Sequence, residues 1–239
     1  RARLDDRFRL LTGGSRTALP RQQTLRATID WSYGLLTPPE QALLRSLSVF
    51  VDGWTLEAAE AICACEGELN VVDGLGVLVN KSLVEAQVED GEVQRYRLLE
   101  TVRQYAQEKL DDAGEAAQAR NRHLEYFLGV SRQLEQAMKI IKSWEMAQSL
   151  RADLANFRAA LSWAYGMQDI ASVATGLEFA SNLMSYWEFL NLYQEGRLWI
   201  QQGGKVWGGR LPPGQRRFDI GNFESYFLAF LEFALAEAD

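Results

Sequence analysis

Few residues in this chain could do covalent or acid–base chemistry. His123 is the single histidine of 239 residues, and Cys63 and Cys65 are the two thiols. One imidazole and two neighbouring thiols make a poor ligand set for zinc, which draws four ligands from Cys, His and carboxylate. The thiols lie too close in sequence to staple a fold, so reduced cysteines are expected. Glu57 with Glu60 and Asp111 with Asp112 are paired carboxylates, but they fall on helix surfaces or ends, where solvation explains them. The run from Gly76 to Lys81-Ser82 has a glycine and a Lys-Ser, as a phosphate-binding loop would. Asn80 stands where that loop needs glycine, and the segment reads as a helix that cannot present a nest of backbone N–H groups. No G-x-S-x-G, H-E-x-x-H or G-x-G-x-x-G occurs in a setting that would support it. The reading is of a protein that is not an enzyme, with no metal and no cofactor of its own. His123 reads as a partly buried helix residue rather than a ligand or base.

The elements that would position any site are organised around residues 96–110. Residues 93–98 alternate as a strand, and from Leu99 the apolar set becomes Leu99, Val102, Ala106, Leu110 and Ala113, which is helical spacing. Thr101 with Gln104 predicts a capping box, and Gly114 a left-handed C-cap. On that reading Thr101→Pro abolishes folding of the domain. Upstream, Pro20 opens a helix to about Leu36 with Leu25, Ile29 and Tyr33 on one face and Trp31 beside them. Thr37-Pro38-Pro39-Glu40 starts another, burying Leu43, Leu44, Leu47 and Phe50. Thr55 caps a third, with Trp54 as a staple, and Val72, Leu75, Leu78 and Val79 carry a fourth. Strands over 83–88 and 93–98 then flank Glu89-Asp90-Gly91-Glu92, a tight hairpin turn. Helices, a two-stranded ribbon and a closing helix are the order of a winged-helix domain.

Downstream the pattern is all helical, over about 118–134, 144–168, 171–188 and 190–202. Leu154, Phe157, Leu161 and Ala164 form one apolar stripe, with Ala160 as a small contact position. Gly203-Gly204, Gly208-Gly209 and Pro212-Pro213-Gly214 predict a loop, and residues 218–235 a helix with Phe223, Tyr226, Phe227, Phe230 and Phe233 on it. Paired helices of this kind predict a tetratricopeptide-like array. The expected fold is therefore mainly α, a winged-helix domain with a two-stranded wing followed by an α-α helical repeat. The boundaries are 1–20 for the end of a helical arm, 21–114 for the winged helix and 115–239 for the repeat region.

Charge and hydropathy narrow the partners. The chain is 47% hydrophobic and 24% charged with a net charge of −7. It has no run of 18 apolar residues and no secretory signal at its start, so no membrane partner and a cytoplasmic location are expected. Residues 1–20 hold five arginines against Asp5 and Asp6, whereas residues 21–114 hold 8 Lys/Arg against 16 Asp/Glu. A DNA-reading domain gains affinity by neutralising phosphates with basic side chains, so this balance makes nucleic acid an unlikely partner.

Three stretches, RLDDRFRLLTGGSRTALPRQQTLRATIDWSYGLL, LSVFVDGWTLEAAEAIC and YRLLETVRQYAQEKL, resemble the segment after the nucleotide-binding domain in bacterial NB-ARC-like STAND proteins, which are signal-transducing ATPases and often transcriptional regulators. The resemblance covers about residues 1–200 and implies the order ATPase, helical arm, winged helix, helical-repeat sensor. The chain begins Arg1-Ala2-Arg3 without Met, as expected for a piece of a longer polypeptide lacking the ATPase part. It implies a regulatory module whose winged helix packs on the nucleotide-binding domain of the same polypeptide, with ATP or ADP bound there and a protein or small-molecule ligand on the repeats. Relatives carry a Met-His-Asp motif at the strand-to-helix junction, where this chain has Leu98, Leu99 and Glu100. Leu99 cannot donate to a phosphate, while Glu100 keeps the acidic role and Arg103 a basic one. Read without the resemblance, Leu99 is core and Glu100 a helix N-terminal residue favoured by the dipole. The alternative function is a DNA-binding winged-helix regulator.

Overall fold

A computed structural model describes residues 20–63, 70–89, 92–140, 149–167 and 169–208. The arginine-rich start, Cys65, the turn residues Asp90 and Gly91, and the expected helix over 218–235 lie outside them. The chain divides into two compact units, Arg1–Ala119 and Arg120–Asp239.

The first unit contains α1 (Pro20–Gly34), α2 (Pro38–Leu47), α3 (Leu56–Ile62), α4 (Val71–Asn80), β1 (Glu85–Glu89), β2 (Glu92–Arg97) and α5 (Glu100–Asp112). Local chemistry sets most of these ends. Pro38 occupies the first position of α2 and Glu40 accepts the Thr37 N–H at 2.8 Å. Thr55 Oγ1 accepts from the Ala58 N–H at 3.3 Å and Asn70 Oδ1 from the Val72 N–H at 2.8 Å, capping α3 and α4. Gly114, at φ +72°, ends α5 in a Schellman turn, with Glu115 N–H donating to Leu110 O at 3.2 Å. β1 and β2 pair antiparallel with a register shift between Gln87 and Val88. A third strand is reduced to one bridge, in which Trp54 and Tyr96 exchange backbone hydrogen bonds of 2.9 and 2.8 Å. The resulting order of helix, short strand, two helices, hairpin and closing helix is a winged helix. Its core gathers Leu43, Leu44, Leu47, Phe50, Trp54, Ile62, Leu75, Leu78 and Leu110.

Several expectations change here. The N-cap of α5 is Leu99, without a side-chain cap bond, so Thr101 lies inside the first turn and Gln104 Nε2 donates to Glu100 at 2.6 Å instead of reaching back. Leu99 is 46% exposed and is not core, because Val102, Tyr105, Ala106 and Leu110 fill the buried face. Leu25 and Trp31 on α1 and Val72 on α4 are likewise exposed. Trp54 does more than staple a helix, since it stacks on Phe50 at 5.1 Å and carries the bridge to the wing.

The second unit is helical. It comprises most of α6 (Ala116–Ile140), a 3-10 turn at Leu150–Asp153, α7 (Leu154–Gly166), α8 (Ile170–Asn182), α9 (Met184–Phe189) and α10 (Tyr193–Gly208). The stretch expected as one helix over 171–188 breaks at Leu183, and α9 ends at Asn191 in the left-handed region, φ 57°. Gly203 and Gly204 are not a loop, for α10 runs through both. A Cβ on Gly203 would lie 2.6 Å from Leu177 Cδ2, so the glycine serves close helix approach rather than a turn. Gly176 plays the same part against the Tyr165 ring, at 2.8 Å. Phe127, Phe157, Phe179 and Tyr186 meet edge to face at 5.6 to 6.0 Å around Phe157.

Candidate functional site

In a winged helix the third helix and the hairpin after it form the exposed working face, and here these are α4 and β1–β2. Leu75 and Leu78 turn α4 inward with no exposed surface. The opposite face carries Val72, Asp73, Gly76 and Asn80, all exposed, with Val79 half-buried. A Cβ on Gly76 would meet nothing within 4 Å, so this face is open. Lys81 caps the C-terminal end, and Ser82 at φ 57° turns the chain so that Leu83 N–H can donate to Leu78 O at 2.9 Å. That turn fixes the hairpin against the end of α4.

The cations of the hairpin are engaged within the domain. Arg97 Nε donates to Glu85 Oε2 across the strands at 2.6 Å, and Arg95 Nη2 donates to Gly53 O at 3.2 Å. Gly53 sits at φ +103°, where a Cβ would approach Tyr96 O to 2.6 Å. The chemistry of the face is thus apolar and anionic.

The second place to look is the start of α5, where Leu99, Glu100 and Arg103 follow the hairpin. Arg103 Nε and Nη2 both donate to Glu100, each at 2.8 Å, and this pairing holds the Glu100 carboxyl below its usual range. Leu99 presents an exposed aliphatic side chain beside them. The structure brings the three together but leaves Arg103 committed to Glu100, so an incoming anion would have to displace a bidentate carboxylate.

His123 lies in the second unit. Burial pushes its imidazole down to about 4, against a hydrogen bond with Asn156 Oδ1 at 3.5 Å that favours the charged form. The ring tilts against Phe127 at 4.7 Å, and Asn156 Nδ2 donates to Asp153 at 3.2 Å. A buried, neutral imidazole of this kind is a packing group. Among the described residues no group of three His, Cys, Asp or Glu side chains could hold a metal ion, and no helix is long and apolar enough to cross a membrane.

Sequence reasoning missed the links that hold the winged unit together. Arg45 donates Nε and Nη2 to Glu115 at 2.9 and 2.8 Å and Nη1 to Tyr33 OH at 3.1 Å. Tyr105 OH donates to Asp30 and Arg26 Nη2 to Glu108 at 2.6 Å, joining α1 to α5. No spacing rule signals pairs 70 to 82 residues apart.

Comparison with known proteins places these features. Residues 36–111 match the family model of a winged helix-turn-helix domain. A Mycobacterium tuberculosis (strain H37Rv) protein named "Putative HTH-type transcriptional regulator" is 42% identical over 199 residues, covering 82% of this chain and 22% of its own length. The Mycobacterium bovis protein of the same description matches with the same identity and coverage. An uncharacterised M. tuberculosis protein is 45% identical over 118 residues, covering 48% of this chain and 30% of its own length. The chain therefore spans about a fifth of the length of the regulators it matches. No solved structure matches it. These likenesses favour the alternative of a winged-helix regulator over the ATPase-coupled module and weigh against the expectation that nucleic acid is an unlikely partner of this chain. Residues 36–111 of this chain are a winged helix-turn-helix domain, in a segment homologous to proteins named as HTH-type transcriptional regulators.

Proposed function

We propose that this chain is a segment of a DNA-binding transcriptional regulator, in which the winged helix-turn-helix domain is followed by a helical contact region. The observation that carries the reading is the winged topology over residues 36–111, shared with relatives named as regulators. The buried His123 and the self-paired Glu100–Arg103 are set up for packing rather than covalent chemistry, and on this reading the segment's part in regulation is binding. The test is titration of a labelled generic duplex with the chain at low and moderate salt. Affinity that falls steeply with salt supports DNA contact by this chain. No binding at the lowest salt removes DNA from this chain's partners.

A second reading is favoured by the charge of residues 21–114, with 8 Lys/Arg against 16 Asp/Glu. Here the winged domain packs on a nucleotide-binding domain of the same polypeptide, and ATP or ADP there biases two packings of the domains. Residues 115–239 then act as a tetratricopeptide-like sensor for a protein or small ligand, and Leu99, Glu100 and Arg103 face the nucleotide-binding domain. Apart from that charge, this reading rests on the family resemblance. A P-loop encoded upstream of Arg1 supports it, and an upstream sequence without one ends it.

A further inference from the structure

Residues 51–99, which run from the start of the helix-turn-helix through the wing, hold three Lys/Arg against ten Asp/Glu. That excess of seven equals the net charge of the whole chain, so the other residues sum to zero. Two of the three cations are occupied, Arg97 by Glu85 and Arg95 by the Gly53 carbonyl. Anions elsewhere in the stretch are open to solvent: Glu57 and Glu60 on α3 and Asp73 on α4 are all exposed. The outward face of α4 carries Val72, 45% exposed, and open space over Gly76, alongside the exposed Asp73 and Asn80.

A helix that reads bases places long polar and cationic side chains in this position. This one places a valine, a carboxylate and a glycine there. An exposed valine and an open glycine next to a carboxylate, in a stretch with seven excess negative charges, disfavour a polyanion and complement a cationic, partly apolar polypeptide. We propose that the outward face of α4, with the wing beside it, docks a lysine- and arginine-rich protein segment. The aliphatic stems of that segment lie over Val72 and Gly76, and its charged ends meet Asp73, Glu57 and Glu60. The docking goes beyond the regulator reading and stands whichever part of the polypeptide touches DNA.

The test uses the whole 15N-labelled chain and three probes: a short amphipathic Leu/Lys helical peptide, the same peptide with Glu for Lys, and a generic duplex. With the Leu/Lys peptide, amide shifts confined to α4 and β1 are expected, and none with the Glu peptide. Gly76→Arg fills the face without a clash, since no atom lies within 4 Å of a Cβ there. It is expected to weaken the Leu/Lys peptide about five-fold or more while the melting temperature holds or rises. Asp112→Arg, a charge change at the far end of α5, is expected to alter binding less than about two-fold. The proposal is overturned by shifts spread over all acidic regions, by equal loss in both variants, by no shift at all, or by a duplex that moves the α4 amides in place of the peptide. Duplex binding that leaves the α4 amides unmoved keeps both the regulator reading and the docking face. Peptide binding without any duplex binding keeps the docking face alone.

Discussion

In the winged unit, segments far apart in sequence are joined by polar side chains: Arg45 to Glu115, Arg26 to Glu108 and Tyr105 to Asp30. The helical unit has ion pairs too, such as Arg158 with Glu195 at 2.6 Å. Its helices nevertheless meet where glycines let them close, with Tyr165 wedged against Gly176 and Gly203 and stacked on Trp199 at 6.1 Å. Among the described residues, the polar atoms of Tyr165, Tyr186 and Trp187 are buried there without a hydrogen-bond partner. The difference teaches where each unit keeps its specificity. Paired charges on a half-exposed surface orient helices at modest energetic cost if lost, because water can replace either partner. A ring pressed on a glycine has no such fallback, since any added atom must displace a packed neighbour.

The comparison can be broken first at Gly176. Gly176→Leu puts a side chain where the Tyr165 ring lies at 2.8 Å, and should destabilise the helical unit by about 3 kcal/mol in chemical denaturation. A neutral result would mean the helices can part freely. Next is the pH dependence of the same unit. The folded imidazole of His123 titrates near 4, below its ordinary 6.5, so the unfolded chain binds more protons between those values. Stability is full above pH 6.5 and is lost as pH falls toward 4, by on the order of 3 kcal/mol. His123→Gln should flatten that slope, and a slope that persists would assign it to other groups.

Smaller effects are expected in the winged unit. Arg45→Ala should cost about 1–2 kcal/mol, and Lys at that position should recover only part, because the pairing is bidentate and partly buried. A cost as large as that of Gly176→Leu would erase the contrast between the units. Least of all is Thr101→Pro, which falls in the first turn of α5, where a backbone N–H has no intrahelical partner. It should lower stability by less than about 1 kcal/mol. A chain that no longer folds with Thr101→Pro would show that the hydroxyl matters after all.

Legibility in the sequence followed the range of the interaction. Thr37, Thr55 and Gly114 declared helix ends because a cap is made within a few residues of itself, and the hairpin was visible from its alternation. Thr101 misled because the same spacing of Thr and Gln also fits an internal turn, and only the strand's exit angle at Leu99 decides between them. Gly203-Gly204 misled for the opposite reason: a glycine required by a neighbour 26 residues away, Leu177, looks locally like a break. The face of α4 was legible in part. Its lack of cations could be counted, but the outward turn of Val72 followed from which side Leu75 and Leu78 buried.

The single Trp54–Tyr96 bridge has a mechanical consequence. Two short hydrogen bonds and one stacked ring fasten the hairpin to the turn ahead of α3, and Gly53 beside them leaves no room for a bulkier joint. A tug on the ribbon would be borne by this bridge, the neighbouring Arg95–Gly53 bond and the turn at Ser82. The bridge should shear before either neighbouring helix unwinds, so the wing would pivot on its turn at Ser82 while the bundle under it keeps its shape.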